Sequence, residues 1–415
     1  MATPPNMVAS GLDLDDTAGL PELEVSVDAP MEFPGGAEVI EDGMGGATVQ
    51  PIDFNSLEGL SQEDLIPFDA NLSEFLEDGV LGELSSDLRS MYEDDLSSRS
   101  EWEDAYVNGL DLLGIKTEDR STPFEGASGI THPMISESVT QFQAQAYKEL
   151  LPSGGPVRTA VLGLKDRARE EQARRVKDFM NYQIMEVMEE FDPDMDQLLF
   201  YLPLSGSCFK KVWFDNSKQR AVAQFIPAQD LVVPYGATDL LTSPRTTHVI
   251  RMDKNEVLKL QLSGFYRETD IDGNMESDDY SEIQESVDKA QGVQMSGSGS
   301  EEVTLYEVHT SLDLEGFEDM KADGEMSGLK LPYIVTIVES TGEVLSLRRN
   351  YSQDDPMMRQ NQYFVHYKFM PGLGFYGFGL VHMIGGLGRA ATSLLRQLID
   401  AGTLANLPAG FKARG

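Results

Sequence analysis

Gly372, Gly374 and Gly377 spell G-x-G-x-x-G within "PGLGFYGFGLVHMIGGLGRAATSLLRQLIDAG", residues 371–402. In a dinucleotide site such glycines allow a tight turn and close approach of backbone to a pyrophosphate held at the N-terminus of the next helix. A plausible strand, "YFVHYKF", precedes the motif and a helical pattern follows it. A second parallel strand ending in a ribose-binding acid is also required. Here the helix runs into "DAGTLANLPAGFKARG", which has no strand character, and Asp400 lies on the helix itself. A membrane span fares no better. The charge-free run from Phe369 to Gly388 only just reaches the roughly 20 residues a bilayer demands, and Pro371, His382 and many glycines dilute it.

The third reading of the stretch is a packing helix. At roughly 100° per residue, Leu380, Ile384, Leu387, Ala391, Leu394, Leu395 and Leu398 fall along one line. His382, Arg389, Ser393, Arg396 and Asp400 gather opposite. Gly385, Gly386 and Gly388 each cost such a helix roughly 1 kcal/mol relative to Ala, so close approach by a neighbouring backbone, or a bend, is expected there.

Other chemistries find no constellation. His132, His248, His309, His366 and His382 are far apart, without H-x-x-x-H or H-E-x-x-H spacing. The single Cys208 excludes an intrachain disulfide or a multi-cysteine metal site and reads as a small core residue. There is no G-x-x-x-x-G-K-[ST] phosphate loop and no G-x-S-x-G elbow. Acidic pairs such as Asp94 and Asp95 carry little information in so acidic a chain. No catalytic, cofactor or metal residue is assigned, and the chain is expected not to be an enzyme.

The elements that would position the helix follow from the rest of the 415 residues, a length that suits two or three domains. With 70 acids against 32 bases the net charge is -38, which argues against tight nonspecific gripping of nucleic acid. The start "MATPPNMVAS" lacks a basic region followed by an apolar block, so no secretory leader is expected. Residues 1–88 contain no Lys or Arg, and residues 1–74 are expected to be a largely disordered acidic arm, either solubilising or folding onto a partner. Helical spacing begins near Phe75 (Leu84, Leu88, Met91, then Trp102, Tyr106, Leu110, Leu113). A second helix, "MISESVTQFQAQAYKELLP", ends at Pro152, and a third spans residues 166–190. That third helix carries Arg167, Arg169, Arg174, Arg175 and Lys177 early and Glu186, Glu189 and Glu190 late, against the preference of the helix dipole. A hairpin is expected from "GSCFKKVWFD" and "RAVAQFIPAQDLVVP". A strand "TTHVIRM" leads into a helix, and two β-rich runs, "EEVTLYEVHTSLDL" and "LPYIVTIVESTGEVLSLRRN", come later. Residues of about 268–300 read as an acidic surface insertion. The fold class is α+β.

Several blocks in order resemble the portal (head-to-tail connector) proteins of tailed bacteriophages, podovirus-type. They are "SEWEDAYVNGLDLLGI", "PFEGASGITHPMISESVTQFQAQAYKELLPSGGPVRT", "GSCFKKVWFD" with "IPAQDLVVPYGATDLLTSPRTTHVIRM", and "FVHYKFMPGLGFYGFGLVHMIGGLGRAATSLLRQLIDAGTLANLPAGF". The resemblance spans roughly residues 95–415 and rests on the ordered set, since no one block is diagnostic. It implies a wing domain over 75–370, a hinge and first stem helix over 371–402, and the start of a clip region over 403–415, with the remainder of the family's clip, second stem helix and crown absent. It implies a virion structural protein, present in host cytoplasm during assembly. Copies would form a ring of roughly twelve subunits, with major capsid protein, terminase, tail or adaptor proteins and double-stranded DNA in transit as partners, and no membrane or cofactor. Leu380, Ile384, Leu387, Leu394 and Leu398 would pack subunits together, and Arg389 and Arg396 would be candidates to face the channel. A different head-tail adaptor or internal scaffold, and more remotely a nicotinamide-dependent enzyme, are the alternatives.

Overall fold

The computed structural model describes residues 39–42, 46–49, 66–114, 119–271, 283, 286–288, 302–320 and 326–406. The chain divides into two units, residues 1–65 and 66–415. In the first, β1 (Val39–Asp42) pairs antiparallel with β2 (Gly46–Val49), Val39 opposite Val49. The rest of the expected acidic arm up to residue 65 lies outside the described residues.

The second unit is mixed α+β, as the patterning implies. Its larger sheet is antiparallel in the order β5 (Leu231–Val232), β6 (Arg245–Asp253), β7 (Glu302–Leu312), β8 (Leu331–Val338), β9 (Val344–Arg349). Its smaller sheet is β10 (Phe364–Lys368), β3 (Ser207–Asp215), β4 (Arg220–Pro227), also antiparallel. Each strand falls where β-branched and aromatic residues concentrate. The helix after β6, α6 (Lys254–Leu262), is started by Asp253, whose carboxylate accepts the Asn255 N–H at 2.8 Å.

The alternation of β7 decides what each face does. Tyr306 and Val308 point toward α1 (Asp78–Ser98), where they join Leu81, Leu88, Tyr333 and Val335 in one core, with Tyr92 and Tyr306 ring centroids 4.4 Å apart. Val303 and Leu305 point the other way, toward Val257 of α6. Glu307 and His309 share that second face.

Two sequence expectations are corrected. Residues 66–74 are not part of a disordered arm. Asn71 lies along the β9 edge, donating to the Leu345 carbonyl (3.0 Å) and accepting the Leu347 N–H (2.9 Å), and Leu72 is fully buried. A side-chain amide thus does for the sheet edge what another strand would. Nor is the 268–300 stretch wholly a surface insertion, because Ile271, Ile283 and Val287 are buried, the last two against Tyr106 and Leu204.

The helical part consists of α2 (Ser100–Leu110), α3 (Met134–Leu150), α4 (Arg167–Tyr182), α5 (Phe191–Ser205) and α7 (Leu380–Asn406). Of these, α5 is the one no periodicity announces. Met195, Leu198, Leu199, Leu202, Pro203 and Leu204 bury most of its circumference, which smears the amphipathic signal. It ends at Gly206, in the left-handed region with φ 86°.

Candidate functional site: a C-terminal helix with one unpartnered face

The glycine motif precedes α7, and its glycines serve backbone packing. A Cβ on Gly377 would overlap the Gly206 carbonyl oxygen and lie 2.7 Å from that of Met370; one on Gly379 would overlap the Leu204 carbonyl. Gly372 closes on the Tyr376 carbonyl of its own loop, whereas Gly374 faces open space. The loop is fastened by Gly377 N–H to Ser207 Oγ (2.8 Å), Phe378 N–H to Met370 O (2.9 Å) and Phe369 N–H to Gly206 O (3.0 Å). At the helix start the Gly379 N–H is spent on Nδ1 of His382 (3.1 Å). The glycines therefore let this loop lie directly on the α5–β3 junction. Gly377→Ala is expected to destabilise the fold by about 1–3 kcal/mol through overpacking. Exposed Gly386, with nothing within 4 Å, should gain up to about 1 kcal/mol as Ala. Urea midpoints of the two variants check this, and equal midpoints would refute it.

The helix meets the body along a narrow inner face. Val381 fills the space that a side chain on Gly109 of α2 would need, Gly385 lies against Leu112, and Gly388 against Ile135 of α3. The expected close crossing is present, but the glycine that permits it is Gly109; Gly385 and Gly388 make only ordinary contacts. Further along, polar residues one turn apart rivet α7 to the loop before α3. Thr392 Oγ1 accepts the His132 N–H (3.0 Å) and Asp400 accepts the Ser128 N–H (2.7 Å). Arg396 donates to the Ile130 carbonyl (2.6 Å), the Gly129 carbonyl (3.4 Å) and Thr131 Oγ1 (3.1 Å). The polar line that the sequence places opposite the apolar stripe is thus partly the face turned to the helix's own subunit, because loop carbonyls and amides needed partners.

The residues singled out from the sequence separate accordingly. Leu380 and Ile384 pack partly against the intrachain core of Tyr106, Leu110, Ile135 and Val381, so they are not free for another subunit. Arg396 is committed to the loop, which corrects its assignment to a channel wall, while Arg389 is exposed. Leu387, Leu394 and Leu398 are 65, 67 and 71% exposed, and Met383 and Leu404 lie exposed on the same helix. With Ala391 the leucines keep a four-three spacing, the repeat of a helix–helix seam. The helix continues through Asn406, beyond the expected boundary at 402; residues 407–415 of the expected clip start lie outside the described residues. Beside the inner face lies an open cleft of about 710 Å³, lined among others by Arg120, Phe124, Arg389, Ser393 and Gln397. No helix among the described residues is long and apolar enough to cross a membrane.

A second polar assembly was invisible in the sequence. The fold brings Lys211 of β3 against Glu307 of β7, Nζ lying 2.6 Å from both carboxylate oxygens. His309 Nε2 is 2.8 Å from Glu307, its Nδ1 lies 3.4 Å from Asn350 Nδ2, and His248 faces Glu307 across the β6–β7 ladder. Phe364 of β10 sits edge-on to both imidazoles. The inward i, i+2 pair Glu307 and His309, in a strand otherwise apolar on that face, was the available signal. This network ties the small sheet to the large one. Burial alone would raise the Glu307 carboxyl, but the Lys211 ammonium and the His309 hydrogen bond hold it well below the usual range. Burial, helped by Lys211, pushes His248 down to about 3, and burial with Lys368 nearby does the same to His366. Burial also pushes the Cys208 thiol up to about 12. Among the described residues no cluster of His, Cys, Asp or Glu is arranged to hold a metal ion.

His248 and His366 give a pH prediction with a definite sign. Inside the fold they stay neutral, while an unfolded chain protonates them below about 6.5. Their contribution is therefore complete above that pH and is lost as pH falls toward 3, by roughly 2 kcal/mol each between pH 6 and 4. Glu307 adds a further loss below the ordinary carboxylate range. Equilibrium unfolding at pH 7, 6, 5 and 4 should show falling stability, with the slope reduced in His248→Phe; a variant with the unaltered slope would contradict this.

No protein-family model and no curated protein sequence matches the chain.

Proposed function

We propose that this chain is the subunit of a portal ring, the vertex assembly through which a tailed bacteriophage packages and ejects its genome. The observation that carries the reading is the exposed seam of Leu387, Leu394 and Leu398 on a helix already riveted to its own subunit by its other side. An apolar stripe of this kind on a fixed helix calls for a neighbour. In a ring the neighbour is the next copy, and a heterologous contact closes when the rotation permits. The ordered sequence blocks supply the rest, including the partners: capsid protein, terminase, tail or adaptor proteins, and DNA in transit.

Charge agrees with a conduit. A chain at -38 repeated around a channel repels a duplex over a Debye length of about 8 Å at physiological salt, so DNA passes without adhering. Energy for transport comes from a separate motor in this scheme. Native mass spectrometry at micromolar concentration tests the proposal. A closed oligomer of roughly twelve copies supports it, and monomers or dimers alone refute it. An open or smaller assembly would favour an adaptor or scaffold role instead.

A further inference from the structure

Between α3 and α5 the chain builds an arm that the body does not need. It runs extended after Pro156, turns at Gly163 (φ 86°) and returns as α4. The two limbs are held by polar pins. Asn181 accepts the Val157 N–H (2.8 Å) and donates to the Val157 carbonyl (3.2 Å), imitating a strand partner, and Thr159 Oγ1 donates to the Ala173 carbonyl (3.0 Å). No residue of α4 is buried. A helix of this length draws little stability from propensity alone. Yet the arm displays Leu162 and Leu164, 90 and 84% exposed, and on α4 Phe179, Val176 and Tyr182 are exposed as well.

Its charge is equally out of place. Residues 158–177 hold seven of the chain's 32 Lys and Arg against three acids, so all of the net negative charge lies elsewhere. Arg169 and Arg175 flank the Phe179–Val176 strip on the helix surface. Arg, Phe, Tyr and exposed aliphatics together are the composition of a protein-binding surface. A complementary surface exists on the same molecule. The outer ridge of α1 carries Glu83, Asp87 and Asp94 at i, i+4 and i+11, all exposed and without an ion-pair partner among the described residues.

We infer that the arm of one copy docks, through Arg169, Arg175 and Phe179, on the acidic α1 ridge of the next copy. This rests on the ring reading and adds to it a second, charge-directed contact separate from the leucine seam. A basic arm meeting an acidic ridge is head-to-tail by construction, the type of contact a ring requires, and opposite charges fix partner and register more than they add affinity. Arg167 and Arg169 at the start of α4, where the helix dipole disfavours cations, then have a purpose in assembly.

The test uses the full chain with paired charge reversals. R169E/R175E and, separately, D87K/D94K are each expected to raise the concentration needed for assembly at least tenfold by native mass spectrometry, and the quadruple variant to recover most of it. If the unaltered protein never assembles, the ring reading falls and takes this inference with it. If the unaltered protein assembles and the arm variant does so equally well, or the quadruple variant shows no recovery, the inference alone is overturned. It is overturned too if the arm reversal abolishes binding of a labelled DNA duplex while leaving assembly intact, since the arm would then be a nucleic-acid surface.

Discussion

Replacing Leu387 and Leu394 together with Asp is expected to yield a folded subunit that no longer assembles. Both side chains are exposed in the subunit, so the carboxylates cost the monomer little beyond helix propensity. In a ring they would be enclosed between helices without partners, at a cost on the order of several kcal/mol per interface. Circular dichroism should be unchanged while native mass spectrometry shows the loss of oligomer. Ile384→Asp behaves differently: Ile384 packs partly on the intrachain core, so that variant should lose fold stability as well. Arg389→Ala should assemble normally and alter DNA passage alone, whereas Arg396→Ala releases the loop at residues 129–131. Normal assembly of the double Asp variant would remove the leucine seam from the interface.

Arg99→Ala should be among the most destabilising single substitutions in the body. Arg99 sits at the break between α1 and α2, buried, with its guanidinium as a hub. It donates to the carbonyls of Ala228 (3.1 Å), Gln229 (2.6 Å) and Leu231 (2.9 Å), to Tyr376 Oη (3.0 Å) and to Glu103 (2.9 Å). Trp102 and Tyr376 flank it, each with its ring centroid within 6 Å. One planar fork thereby ties two helices, the β4–β5 connection and the glycine loop before α7. Truncation removes the Arg99 hydrogen bonds from three carbonyls and from the half-buried Glu103, for which about 3–5 kcal/mol is the expected scale. Arg99→Lys keeps the charge but cannot reproduce the fork, so it should recover only part of the loss. Urea denaturation of both variants measures this; wild-type midpoints would mean that water replaces the fork at little cost.

How much of this was legible in the sequence depended on whether the signal was local. The hairpin of β3 and β4, the strand leading into α6 and the apolar stripe of α7 are all written in spacing two or three-to-four, and the structure places them there. The α+β class follows from the same patterns. Helix α5 was missed because a helix buried on most sides has no polar stripe to set its period. The Lys211–Glu307–His309 network was missed because its members sit on strands some 96 residues apart and only the sheet pairing unites them. The polar side of α7 was recognised, but its use was not: whether Arg396 faces solvent or a row of loop carbonyls is decided by tertiary packing. In the same way the G-x-G-x-x-G string specified backbone closeness, and only the fold says that the close neighbour is Gly206.

The most direct test of a ring-forming conduit is a negative-stain image of the purified full-length protein. Circular particles with a central opening wide enough for a DNA duplex, lost in the Leu387→Asp, Leu394→Asp variant, are the expected result. A field of compact monomers, or closed particles with no opening, would contradict it.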